Sequence, residues 1–218
     1  MIRMMRRLHA RRDRGDAGAV AVEAALITPI LITLVFGMIE FSLLLRDNVS
    51  TTSLVRVGAR ISSAEPRVGT VAGCKSNATT DKCFAQDAAD AIQRAGSALP
   101  KDSIDHINVY LANSAGYPSG SVSGWATDTN TSLNANCGAG SITCYTYTWN
   151  KASNRFFYSG GAWDPKSINA CAGAQGMAVG VSMFVNHNGI TGLFFTKFNL
   201  TDHAVMKFEP LPAEAPCK

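Results

Sequence analysis

The sequence predicts an α+β protein carried on a long N-terminal transmembrane helix that continues into a stalk. Three observations lead there. The first is a 22-residue apolar run, Ala24–Leu45, with six arginines ahead of it. The second is an amphipathic continuation of that run as far as Pro66. The third is the remainder of the chain, where one helical pattern is followed by several alternating segments and all six cysteines lie beyond residue 70. The expected plan is a basic cytoplasmic leader at 1–18, a transmembrane helix at 19–45, an amphipathic stalk at 46–65 and an extracytoplasmic, disulfide-linked domain at 66–218. In that domain a second helix and a small antiparallel sheet pack against the stalk.

Charge supports this division. The chain has 218 residues and a formal net charge of +4. Arg3, Arg6, Arg7, Arg11, Arg12 and Arg14 oppose only Asp13 and Asp16 before residue 19, which already accounts for +4. The rest is close to neutral and offers no basic surface to displace counterions from phosphates, so nucleic acid is not an expected partner. The arginine cluster instead reads as a topology signal. Cytoplasmic flanks are rich in Lys and Arg, which puts the N-terminus inside and residues after Arg46 outside.

Ala24–Leu45 contains a single charge, Glu40. At 1.5 Å per residue it reaches roughly 33 Å, enough for a hydrocarbon core of about 30 Å. A cleaved secretory signal is a poorer fit, because its apolar region is shorter and ends at a small-residue site. Leu43-Leu44-Leu45-Arg46 is no such site. Pro29 removes one backbone donor, which membrane helices tolerate. Glu40 has two readings. It reaches toward the interface, or it meets a partner helix, as ionisable groups within membranes often do. Glu23 stands at the cytoplasmic end of the span.

Read together, these residues resemble a known family. The run Arg14-Gly15-Asp16-Ala17-Gly18-Ala19-Val20-Ala21-Val22-Glu23-Ala24-Ala25-Leu26-Ile27-Thr28-Pro29, followed by Phe36-Gly37-Met38-Ile39-Glu40-Phe41, is similar to the TadE-like family. Those proteins are minor pseudopilins of the tight-adherence (Tad) pilus. The resemblance covers about 30 residues: a basic, glycine-containing leader, a Val-Glu pair, a proline six residues after the Glu, and a Phe-Gly-x-Ile-Glu-Phe ending. It implies a structural, non-enzymatic role in a bacterial surface pilus that mediates adhesion. The implied partners are the membrane, other pilins or pseudopilins, the pilus-assembly platform and a prepilin-type peptidase. It further implies a cut between Gly18 and Ala19, which would make Glu23 the fifth residue of the mature chain. Ala24 departs from the family, where an aromatic residue often follows that Glu. Pro29, Gly37 and Glu40 are the candidate contacts with a partner helix.

The chemistry of a cut at this place is intelligible without the family. Glycine lacks a Cβ and permits close approach of a peptidase to the backbone. A new amine on Ala19 at the edge of the apolar helix would need a counter-charge, and a carboxylate on a neighbouring subunit supplies one.

Beyond the span, Leu54, Val57 and Ile61 share one helix face, with Thr51, Val55 and Ala59 in the neighbouring row and Arg56 and Arg60 on another. Glu65-Pro66 ends the helix, since proline disfavours helix in the residue before it. Asp81–Leu99 reads as the second helix, with Phe84, Ala88, Ala91, Ile92, Ala95 and Leu99 inward. Ile104–Leu111 alternates as a strand with a register defect near His106. Asn113–Ser141 is a long Ser/Gly/Asn/Thr loop. Thr143–Trp149 is a strand, paired with Arg155–Tyr158 across a turn at Asn150–Asn154. Met177–Val185 and Ala204–Phe208 are two more strands. Asn186-His187-Asn188-Gly189 reads as a turn leading into an apolar segment around Leu193, Phe194 and Phe195.

Cys74, Cys83, Cys137, Cys144, Cys171 and Cys217 form an even set in the part expected outside the membrane, which suggests disulfides. Short separation favours Cys74 with Cys83 and Cys137 with Cys144, leaving Cys171 with Cys217. A zinc site is disfavoured: there is no C-x-x-C, and His9, His106, His187 and His203 have no ligand spacing to a cysteine. No cofactor is expected. No P-loop, dinucleotide fingerprint or nucleophile elbow is present, and Asp128-Thr129-Asn130 lacks the other ligands of a calcium loop. The aromatics Tyr145, Tyr147, Trp149, Phe156, Phe157 and Trp163 form either a ladder within the sheet or a stacking surface. A membrane-anchored extracellular enzyme or ligand-binding module remains the alternative function. A deep polar pocket with converging titratable groups would favour it.

Overall fold

The structure is a computed structural model that describes residues 13–66, 83–95, 98–120, 130–133, 137, 142–170 and 176–210. Its first element is a 52-residue helix, α1 (Asp13–Ala64), which begins inside the expected leader and stops just before Glu65-Pro66. Pro29 lies within it. Thr33 Oγ1 donates to the Pro29 carbonyl at 2.8 Å and Ser42 Oγ to the Met38 carbonyl at 2.6 Å. Both hydroxyls thereby satisfy themselves along the helix, as polar side chains in an apolar helix must.

The chain divides into two compact units. One joins the helix up to Leu44 with Gly189–Thr196; the other begins at Leu45 and comprises the rest of the chain.

In the second unit, α2 (Phe84–Arg94) and five strands follow the stalk half of α1. The strands are β1 (Ile104–Ala112), β2 (Cys144–Asn150), β3 (Arg155–Ala162), β4 (Ala178–Asn188) and β5 (Lys197–Lys207). They form one sheet in the order β3-β2-β1-β4-β5, with every neighbouring pair antiparallel. Alternation divides the side chains between two faces. Ile107, Val109 and Leu111 of β1 pair with Met183, Val181 and Val179 of β4, and Ile107 and Val109 also pair with Tyr147 and Tyr145 of β2. All eight are fully buried. The stalk and α2 cover this face. A Cβ on Gly58 would come within 2.8 Å of Ile92 and 3.2 Å of Val181, so the glycine sets how closely the stalk approaches α2 and β4. Thr52 Oγ1 donates to Asp202 of β5 at 2.5 Å. Arg155 of β3 forks onto Asp90 of α2 at 3.1 and 2.6 Å.

The opposite face holds Tyr110, Ala112, Cys144 and Ala178, packed with Cys137, Leu133, Ile142 and Val205. It is roofed by the described parts of the long loop. Tyr110 lies across Gly180, where a Cβ would come within 2.2 Å of its ring. Asn113 Oδ1 accepts from the amides of Ala115 and Tyr117, and its Nδ2 donates to the Asn130 carbonyl. Asn130 in turn donates to the Pro118 carbonyl. A disulfide joins Cys137 to Cys144, the pairing that short separation favours. Cys83 is also disulfide-bonded. Cys74, Cys171 and Cys217 lie outside the described residues, and so do the pairings expected for them.

The expected α+β architecture, the irregularity between Ile104 and His106, and the β2–β3 hairpin are all present. Four details differ. The buried face of the stalk is Thr51, Leu54, Val55, Gly58, Ala59, Ser62 and Ser63, while Val57 and Ile61 are half-buried at its margin. Small residues permit the close approach, so the deepest row is not the most apolar one. The second helix ends at Arg94, and Ala95, as its C-cap, is exposed rather than inward. Asn186, His187 and Asn188 belong to β4 rather than to a turn, because they pair with Asn199, Phe198 and Lys197. β5 is accordingly longer than Ala204–Phe208.

Candidate functional site

From its N-terminal end the helix presents first the positions that the sequence nominates for processing. Gly18, Ala19 and Glu23 are all helical and exposed. Among the described residues, a Cβ on Gly18 would meet nothing within 4 Å. The Gly18–Ala19 bond lies in helix, and a peptidase would have to unwind that turn to reach it.

Through the apolar run the side chains are uncovered on every side. Val20, Leu26, Ile30 and Met38 are 63–69% exposed. Among the described residues this is the one helix long and apolar enough to cross a membrane, and its apolar window buries nothing within the protein. Such a surface is unstable in water and stable in hydrocarbon. Pro29 shares this exposure.

Gly37 and Glu40 do not. Glu40 is 1% exposed, covered by the segment Gly189–Thr196 between β4 and β5. Its Oε1 accepts the Thr191 amide at 2.8 Å and the Thr191 hydroxyl at 2.5 Å. Gly37 lies under the Phe194 ring, where a Cβ would come within 2.9 Å. Phe41 meets both Phe194 and Phe195 with centroids 6.2 Å apart. Gly37, Glu40 and Phe41 stand at i, i+3 and i+4, one helix face. The segment is shaped by two glycines. Gly192 has φ +67°, and a Cβ on Gly189 would lie 2.1 Å from the Phe195 carbonyl oxygen. Gly189 N–H donates to Thr196 O, and Leu193 N–H to Thr191 Oγ1.

A second polar cluster begins about two turns after Glu40, within the other unit. Asp47 is 4% exposed. Its Oδ1 accepts Arg46 Nε and Nη2 at 3.1 and 2.9 Å, and its Oδ2 lies 2.7 Å from His187 Nδ1. His187 is 6% exposed, which accounts for a histidine at the end of β4.

The aromatic set belongs largely to the core. Tyr145, Tyr147, Phe156 and Trp163 are buried, and Phe84 meets Trp163 edge-on with centroids 5.0 Å apart. Burial pushes the Tyr145 hydroxyl up to about 12 and raises Tyr110 and Tyr147 well above the ordinary value. Among the described residues, no three His, Cys, Asp or Glu side chains are grouped to hold a metal.

Comparison with known proteins agrees with the helix. Residues 18–60 match the family model described as TadE-like protein. This part of α1 is similar to that family. The matched segment is 43 of 218 residues (60 − 18 + 1), and it starts at Gly18. No curated protein and no solved structure matches the chain. The TadE-like match thus falls on the helix that is long and apolar enough to cross a membrane.

Thr191 and Asp47 were not singled out from sequence, and His187 was read as a turn residue. The available signal was the charge-free run Gly189–Thr196 between two strands, whose apolar side chains have no place in an ordinary exposed turn.

Proposed function

We propose that the chain is a structural and assembly subunit, minor-pseudopilin-like, of a Tad-type pilus. The carrying observation is the match at residues 18–60, which begins at the glycine of the expected cut and follows α1 into the stalk. In this reading the arginine-rich leader stays cytoplasmic and the sheet domain lies outside the membrane. A prepilin-type peptidase cuts between Gly18 and Ala19. The new Ala19 amine then pairs with Glu23 of a neighbouring subunit. The exposed apolar faces of α1 support the reading, since lipid or neighbouring pilin helices can cover them. So does the open space around Gly18 among the described residues, which is compatible with close approach of a peptidase to the backbone.

The test is complementation of a cell lacking this chain. The wild type should restore surface pili and co-purify with pilins and the membrane platform. Gly18→Leu should retain its leader. Glu23→Val should be cut normally but co-purify about a hundredfold less, because an uncompensated charge near hydrocarbon costs on the order of 3 kcal/mol. Normal piliation in the deletion strain would overturn the proposal.

A further inference from the structure

The segment Gly189–Thr196 poses a problem that the anchor alone does not explain. It joins two exposed strand ends, where polar residues are expected, yet it reads Gly-Ile-Thr-Gly-Leu-Phe-Phe-Thr without a charge. Ile190, Leu193 and Phe194 remain 68%, 64% and 46% exposed. The segment is nevertheless not adrift. It docks on α1 through Gly37, Glu40 and Phe41, within the 22-residue apolar run. Gly37 is eight residues from Leu45, or about 12 Å along the helix. Any placement that puts Ala24–Leu45 in hydrocarbon therefore puts this loop in the membrane too.

We propose that Gly189–Thr196 is a re-entrant membrane wedge, with Ile190, Leu193 and the outer edge of Phe194 against lipid acyl chains. Non-helical backbone at that depth needs its polar groups satisfied from within the protein. Glu40 supplies an acceptor there: its Oε1 takes both the Thr191 amide and the Thr191 hydroxyl. Thr191 Oγ1 accepts Leu193 N–H, and Gly189 N–H closes on Thr196 O. The one carboxylate inside the span is thus the internal acceptor for a loop that enters the membrane beside it. A second copy of the chain is a weaker fit as the occupant. The docking on α1 sets the depth of the loop, and at that depth acyl chains surround it with no assembly required. The wedge gives the protein a second hold on the bilayer, far from α1 in sequence.

The inference rests on the reading of α1 as a membrane span, and the test separates the two. The full-length protein is reconstituted at low density in phosphatidylethanolamine–phosphatidylglycerol vesicles. It carries p-benzoylphenylalanine in place of Leu193, of Leu31 on the exposed apolar helix, or of Lys151 at the exposed β2–β3 turn. After irradiation, intact mass reports any adduct. The wedge predicts a gain of one phospholipid mass at positions 193 and 31 and none at 151. A lipid adduct at 31 with none at 193, or a dimer adduct at 193 in its place, would overturn the wedge and leave the anchor standing. No lipid adduct at 31 would overturn the anchor and the wedge with it.

Discussion

Single side chains set the close contacts on which this protein depends, and the decisive ones are small or polar. Gly58 lets the stalk touch Ile92 and Val181. Gly58→Val should therefore overpack that contact and lower stability by about 1–3 kcal/mol, read from the denaturant midpoint of the disulfide-intact protein. An unchanged midpoint would mean the stalk is free to shift. Thr191 supplies both hydrogen bonds to Glu40 Oε1. Thr191→Val keeps the shape and the amide but removes the hydroxyl, a loss of about 1.5–3 kcal/mol for a bond to a charged group. Amide exchange in 189–196 should rise by at least tenfold (1.4 kcal/mol per decade) while exchange in β1 stays constant. Equal exchange in both variants would show that the hydroxyl does not hold the loop. Neither contact was legible in the sequence. Gly58, Ser62 and Ser63 hid the buried stalk face because periodicity is read from apolar residues. Thr191 and Glu40 stand 151 residues apart.

At the scale of elements, the sequence was most legible where one periodicity dominates. The apolar run of α1 and the alternating Cys144-Tyr145-Thr146-Tyr147-Thr148-Trp149 both became the elements they predict. Legibility failed where tertiary pairing overrode local composition. Asn186-His187-Asn188 has turn chemistry, yet pairing with β5 and the His187–Asp47 contact carry the strand through it. The long loop over the second face of the sheet is another such case. Its Ser/Gly/Asn/Thr composition has little periodicity to read, yet Asn113 and Asn130 use their side chains as internal caps. The Cys137–Cys144 bridge closes a short loop at that face. Replacing both cysteines with serine should cost roughly 2–3 kcal/mol by chain-entropy reckoning. Thermal unfolding should show the loss, with the far-UV signature of the sheet preserved below the transition. A change of less than about 0.5 kcal/mol, the scale of ordinary surface substitutions, would mean the loop packing is self-sufficient.

The sheet-bearing unit as a whole has an alkaline weakness built into its core. Tyr110, Tyr145 and Tyr147 are buried, and burial holds each hydroxyl above its ordinary range, Tyr145 at about 12. A raised phenol favours the folded state only while the unfolded chain still binds the proton. The stability is therefore fully present below about pH 10 and is lost as pH climbs through the folded values. The melting temperature should hold between pH 8 and 9.5 and fall steeply between 10 and 12, with tyrosinate absorbance rising in step with unfolding. Tyrosinate formation that precedes unfolding would show these hydroxyls to be accessible. For the whole molecule, the central claim is a single oriented span with the sheet domain outside. Its most direct test is protease added to intact cells stripped of their outer barrier, followed by mass analysis of the membrane-protected fragment. The account predicts a protected α1 fragment that starts at Ala19 and ends near Arg46, with peptides of the sheet domain released. A protected sheet domain, with the arginine-rich leader digested from outside, would contradict it.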